Sequence, residues 1–185
     1  MSANQTQWPR EWLMTDERMA GRLWEAMDRL PAGAGIVFRH YATPASEREE
    51  LAGRLAEQCQ LRGLVLAIAR DVDLAKRLQV PLVHNPISDP GALAFSRAAH
   101  SIEEAKAACN SGASLIFLSP LSRTRSHPGA QPLSRKEAQA IVSACPAPVI
   151  ALGGIDRALF EEIRSDGFYG WAGIDGWLGA GPSRE

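Results

Sequence analysis

The nine residues Pro148-Val149-Ile150-Ala151-Leu152-Gly153-Gly154-Ile155-Asp156 hold one complete structural switch. Five apolar residues follow one another without alternation, as in a strand covered on both faces. Paired glycines then turn the chain, and Asp156 supplies an N-cap for a helix over 156–166. This is the first half of a βα unit. The same pattern recurs outward from it. Continuous apolar runs stand at 12–15, 35–38, 64–68, 81–83, 94–96, 114–118 and 171–174. Together with 148–152 they make eight strands.

Helical period fills most of the gaps. Residues 18–30 carry Met19, Leu23, Met27 and Leu30 on one face, and 46–61 carry Leu51, Leu55 and Cys59. The latter opens on Ser46-Glu47-Arg48-Glu49, the pattern of a capping box. Segments 101–111 and 134–144 begin at Ser101 and Ser134, which suit N-caps. The stretch after the fourth strand is too short for a full helix. Strands alternating with helices admit a closed (β/α)₈ barrel or an open doubly wound sheet. Eight strands favour closure over the five or six of common open sheets. A TIM barrel is therefore expected, compact and with trimmed helices, because the chain is shorter than the usual length of about 250 residues.

At 185 residues the chain has room for one domain, since domains run to about 150 residues each. That domain is assigned to 1–185, with 1–10 expected as a disordered lead-in and 179–185 as a disordered tail. Apolar residues make up 45% and charged ones 22%, the balance of a globular protein with a real core. The net charge is −1 and no basic block occurs, which leaves no electrostatic case for nucleic acid. No run approaches about 18 apolar residues, so no membrane span is expected. The first residues lack the basic-then-apolar order of a secretory signal. Cys59, Cys109 and Cys145 are scattered with no CxxC spacing, which points to reduced thiols in a cytoplasmic protein and against structural zinc. The sequence leaves oligomeric state open, a homo-oligomer included.

A barrel carries its chemistry where its strands end, on the rim built by the βα loops. Those ends read Thr15-Asp16, Arg39-His40, Arg70-Asp71, His84-Asn85, His100-Ser101, Ser119-Pro120, Gly153-Gly154 and Asp175-Gly176. The loop that starts at Ser119 is long, running to Gly129, and brings Arg123, Thr124, Arg125 and His127. All four histidines of the chain thus fall at or just past a strand's C-terminal end. Gly153 and Gly154 let backbone N–H groups approach an anion, and in barrels the loops after strands seven and eight commonly hold phosphate. Arginines with serine and threonine hydroxyls in the long loop suit the same kind of ligand.

These residues identify a resemblance. Trp12-Leu-Met-Thr-Asp16 resembles the opening "YLITD" strand of the thiamine phosphate synthase and TenI superfamily, which are (β/α)₈ barrels of thiamin biosynthesis. Val37-Phe-Arg39 stands where that superfamily has "QLR", and Asp71-Val-Asp-Leu-Ala75 follows "NDRVDLA". Val83-His84 through Asp89 is similar to "VHLGQxD", and Ala99-His100-Ser-Ile-Glu-Glu-Ala105 to "STHSxEEA". Ser119-Pro120 to Gly129 resembles the "GPxFPTxTK" loop, and Ala151-Leu-Gly-Gly-Ile155 resembles "AIGGI". Seven motifs in order cover nearly the whole chain.

The resemblance implies a small phosphate ester as partner, a thiazole phosphate, with Gly153, Gly154 and Gly176 on its phosphate. Arg39, Arg70, Asp89, His100, Thr124 and Arg125 are the implied substrate contacts. A synthase joins a pyrimidine pyrophosphate to the thiazole phosphate with Mg²⁺. Its first metal carboxylate falls at Arg70, which cannot ligate a cation, and only the second, Asp89, is retained. Its two lysines fall at Tyr41 and His127, its glutamine at Val37 and its asparagine at Ala69. The TenI branch instead runs a metal-free proton shift, thiazole tautomerisation, with a histidine of the long loop as acid/base. His127 stands in that loop. The substitutions favour this reaction, with no cofactor. The alternatives are a divergent synthase, which would call for Mg²⁺, and a regulator that binds a thiazole or thiamin phosphate without turnover.

Overall fold

A computed structural model describes residues 7–122 and 131–178. Eight parallel strands close into a barrel in sequence order: β1 (Glu11–Met14), β2 (Gly35–Phe38), β3 (Val65–Ala69), β4 (Leu82–His84), β5 (Ala94–Ala99), β6 (Leu115–Leu118), β7 (Val149–Ala151) and β8 (Gly170–Gly173). The closing seam pairs Trp12 with Ala172 and Leu13 with Gly173. The TIM barrel read from the sequence is the fold, and the open sheet is not.

Alternate residues of each strand face opposite ways. Trp12, Met14, Val37, Ala67, Ala69, Leu115, Phe117 and Ile150 fill the barrel, with Trp12 and Phe117 edge to face at 5.5 Å. Leu13, Ile36, Phe38, Leu66, Ile68, Ile116 and Leu118 face the helices. Both faces are buried, which is why the strands read as unbroken apolar runs. Gly35 makes room for the indole of Trp12, since a Cβ there would stand 2.2 Å from the ring.

The helices are α1 (Leu23–Asp28), α2 (Ala45–Arg62), α3 (Val72–Arg77), α4 (Ile102–Asn110), α5 (Arg135–Ala144), α6 (Arg157–Ile163) and α7 (Asp175–Leu178). Most are short, and no helix lies between β4 and β5, which accounts for the small size of the barrel. Four details differ from the sequence reading. The expected helix 18–30 is a 3-10 turn over Glu17–Arg22 followed by α1. The box at Ser46 does not form, because α2 already starts at Ala45 behind Pro44, leaving Ser46 inside the first turn. Helix α3 was unforeseen; the Asp71 carboxylate caps it by accepting from the Leu74 N–H at 2.9 Å. Within the expected lead-in, Trp8 and Pro9 make contacts under the barrel: their carbonyls accept from Tyr169 Oη and Trp12 Nε1. The rest of the expected lead-in, residues 1–6, and the tail 179–185 lie outside the described residues.

The caps at Ser101, Ser134 and Asp156 form as read. Ser134 and Glu137 make a full reciprocal box. Ser134→Ala is therefore expected to cost about 1 kcal/mol and to lower the melting temperature by about 2–4 °C. An unchanged thermal midpoint would mean that α5 is held by its packing alone. Cys59, Cys109 and Cys145 are free thiols, and burial pushes Cys59 up to about 12. Among the described residues no helix is long and apolar enough to cross a membrane.

Candidate functional site

The C-terminal ends of the strands surround a cavity of about 390 Å³. Its titratable lining is Arg39, Tyr41, Arg70, His84 and His100; no carboxylate lines it among the described residues. Strand alternation explains most of this set. Val37 faces inward, so Arg39 and Tyr41 continue its row into the mouth, as His84 continues the row of Leu82. His40 has the opposite parity. It is buried against Phe38, ring centroids 4.7 Å apart, with Nδ1 3.0 Å from Thr15 Oγ1, and it does not reach the cavity.

Arg39 is largely buried. Its Nε–H donates to Thr15 O at 3.0 Å, and its guanidinium lies 3.8 Å from Asp16. Burial lowers its pKa, while Tyr41 and Asp16 pull the other way. Arg70 takes a left-handed backbone, φ 68°, which turns a residue of outward parity back over the rim. Its guanidinium carbon sits 4.2 Å from the centre of the Tyr41 ring, a cation–π contact. Burial raises the Tyr41 pKa against the fields of Arg39, Arg70 and Arg48, so the phenol stays neutral. Two guanidiniums beside a neutral phenol give this wall a positive potential suited to an oxyanion.

His84 is 3% exposed, lies edge-on to Phe117 and has Nδ1 3.0 Å from Ser96 Oγ. Burial, with Arg39 and Arg97 nearby, pushes its pKa down to about 3, so the ring is neutral. His100 is exposed at the end of β5; its Nδ1 lies 2.8 Å from Ser119 O, and its backbone N–H donates to Glu104 Oε2 at 2.7 Å. On the seventh strand's side Gly153 lines the cavity with φ 92°, and Gly154 follows on the rim with φ 68°. Neither amide N–H is taken by another group within the described residues. A Cβ on Gly153 would stand 2.8 Å from Pro120 Cα, so the glycine is needed for the loop after β6 to pack there.

The remaining candidates fall elsewhere. Asp89 is exposed and outside the cavity, and its carboxylate accepts from the Gly91 N–H at 2.9 Å in a local turn. Gly176 does not line the cavity either; it packs against the Asp156 cap, 3.3 Å from a built Cβ. Thr124, Arg125 and His127, with Arg123, lie outside the described residues. Of the two positions where the resemblance implies metal carboxylates, one holds Arg70 and the other, Asp89, is turned into its own loop, while the nearby Asp71 caps α3 and pairs with Arg48 at 3.1 Å. Among the described residues no three His, Cys, Asp or Glu groups converge.

The sequence reading gave no role to Arg48 or Ser96 and named Asn85 only as a strand end. Arg48 donates to His40 O and Ala69 O as well as Asp71, tying the ends of β2 and β3. Asn85 Oδ1 accepts from the Ala98 N–H at 2.8 Å beside the cavity. Ser96 was detectable: it pairs across the ladder with His84 and has inward parity.

A closed (β/α)₈ barrel with a cationic, imidazole-bearing mouth and a glycine turn after β7 defines a class of barrels that carry a small-ligand cavity at the C-terminal rim. The comparisons narrow it. The family model described as thiamine monophosphate synthase matches residues 13–176, and the chain belongs to that family. A putative thiamine-phosphate synthase 2 of Aquifex aeolicus is 38% identical over 116 residues, 62% of this chain. A thiamine-phosphate synthase of Geobacillus thermodenitrificans is 30% identical over 139 residues, 65% of this chain. The match spans 61% of the length of each relative. The solved thiamine phosphate pyrophosphorylase of Pyrococcus furiosus shares the fold at a TM-score of 0.79 and 22% identity, over 92% of this chain and 88% of its own. A second, from Bacteroides thetaiotaomicron, aligns at 0.67 and 21% identity, over 96% and 88%.

Proposed function

We propose that the protein acts on a thiazole phosphate by TenI-type proton transfer, with His127 as an acid/base group. The observation that carries this reading is the character of the mouth: two guanidiniums and two imidazoles, with no carboxylate among the described lining residues. Imidazole takes and gives a proton near neutrality, and guanidinium holds a carboxylate or phosphate in a fixed geometry. In this reading the N–H groups of Gly153 and Gly154, which no other described group takes up, hold the phosphate. The substrate carboxylate lies across the mouth on Arg39 and Arg70, with Arg125 and Thr124 contributed by the long loop. The ring then spans the cavity between His84 and His100. No cofactor is required.

The names of the relatives favour a second reading, synthesis of thiamine phosphate from a pyrimidine pyrophosphate. Here Arg70 would offset leaving-group charge in place of a metal carboxylate. Parallel assays separate the two. Proton shift on a carboxylated thiazole phosphate is expected, falling at least 100-fold in His127→Gln, with no thiamine phosphate formed from the two synthase substrates and Mg²⁺. Magnesium-dependent product formation would install the second reading instead.

A further inference from the structure

We infer that His100 and His84 form a matched pair in the proton shift: His100 Nε2 takes the proton, and His84 Nε2–H donates a hydrogen bond to the atom that gains charge. The assignment comes from what each ring's other nitrogen touches. Carbonyl oxygens only accept, so the 2.8 Å contact to Ser119 O places a proton on His100 Nδ1. A neutral imidazole then keeps a lone pair on Nε2. Ser119 Oγ, 3.3 Å from the same nitrogen, is compatible with that arrangement, because a hydroxyl oxygen also accepts.

His84 is set the opposite way. Ser96 is fully buried, and its hydroxyl has His84 Nδ1 as its partner. If Nδ1 carried the proton, the hydroxyl hydrogen would be buried with no acceptor, a costly arrangement. The hydroxyl therefore donates to Nδ1, and the ring proton sits on Nε2. No buried side-chain nitrogen in the described residues lacks a partner, yet Nε2 has none among the described residues, so this N–H opens on the cavity that His84 lines. Because His84 stays neutral, it serves as a donor and not as a second base. One fixed acceptor and one fixed donor thus stand at the ends of adjacent strands, β4 and β5, on one cavity.

The step balances without any other reactant. A ligand C–H bond breaks and its proton forms an N–H bond with His100 Nε2, giving an imidazolium. The electron pair stays in the ligand's conjugated ring, where the His84 N–H and the Arg39–Arg70 wall stabilise it. The proton returns from the His100 imidazolium to a different ligand atom, leaving enzyme and net charge unchanged. Ser119 and Ser96 are positioning residues in this scheme.

This inference rests on the proton-shift reading, and the test keeps the two apart. Proton shift on carboxylated thiazole phosphate is measured for the wild type, His100→Gln and His127→Gln. Histidine-selective ¹⁵N spectra are recorded for the wild type and Ser96→Ala. The wild type is expected to show His100 protonated at Nδ1 and His84 at Nε2, with Ser96→Ala converting His84 to a mixture of tautomers. His100→Gln is expected to lower kcat about 100-fold or more with KM little changed. Full kcat in His100→Gln beside an active wild type overturns the pair alone. So does a wild-type spectrum with either tautomer reversed. A wild type without proton shift overturns the proton-shift reading, and the role of the pair with it.

Discussion

Gly170→Ala is expected to prevent the barrel from closing. A Cβ at Gly170 would stand 1.9 Å from Arg10 O and 2.6 Å from Arg10 Cα, and those atoms are backbone. The same Arg10 O accepts the Trp171 N–H at 2.8 Å, so the segment cannot retreat without breaking the entry to the β8–β1 seam. Overpacking of a rigid site costs about 1–3 kcal/mol or more, and loss of the seam adds to it. The variant should be insoluble or should unfold at much lower urea. Gly53→Ala is the control. It lies within α2 with nothing within 4 Å of a built Cβ, and it should stabilise by up to about 1 kcal/mol. Equal urea midpoints for Gly170→Ala and the wild type would show that the first strand has another way to dock.

Acid sensitivity is the second large effect. In the unfolded chain His84 binds a proton near its ordinary value of 6.5; in the folded protein burial holds it down to about 3. Between those values the unfolded state carries the extra proton, so stability is full above about pH 6.5 and drains as pH falls toward 3. One proton corresponds to about 1.4 kcal/mol per pH unit in that window. His40 is depressed in the same direction by its burial. Above about pH 5 most carboxylates remain ionised, which isolates the histidines. Urea midpoints at pH 7, 6 and 5 should therefore fall steadily, and His84→Gln should flatten the decline whatever it costs at pH 7. A slope that His84→Gln leaves untouched would place the acid sensitivity elsewhere.

Much of this architecture is legible in the chain because burial on two faces leaves a plain mark. Unbroken apolar runs, such as 148–152, find seven of the eight strands nearly to their ends, while β5 runs to Ala99 because Ser96 and Arg97 interrupt its apolar signal. The site was legible only in part. Reading strand ends gathers the right neighbourhood but mixes residues that face inward with those that face outward. Parity separates them: Arg39, His84 and His100 extend inward rows, whereas His40 extends the row of Ile36 and Phe38 and disappears behind the wall. Arg70 breaks the rule through its left-handed backbone, for which an arginine gives no warning. Asp89 matched a motif, but its position in a loop without a helix leaves its carboxylate answering a turn amide. Arg48 could not be read at all. Its role depends on three acceptors brought together only when two strands and a helix meet.

That contact has a consequence for the background charge of the mouth. Backbone carbonyl oxygens at the strand ends and in the loops just beyond them carry partial negative charge, which is unfavourable beside an anion. Arg48 takes up His40 O and Ala69 O, Arg39 takes up Thr15 O, and Arg97 takes up Pro86 O. The arginines thus act as a lining behind the lining. They offset that partial charge, so the cationic side chains in front of them stand against a less negative background.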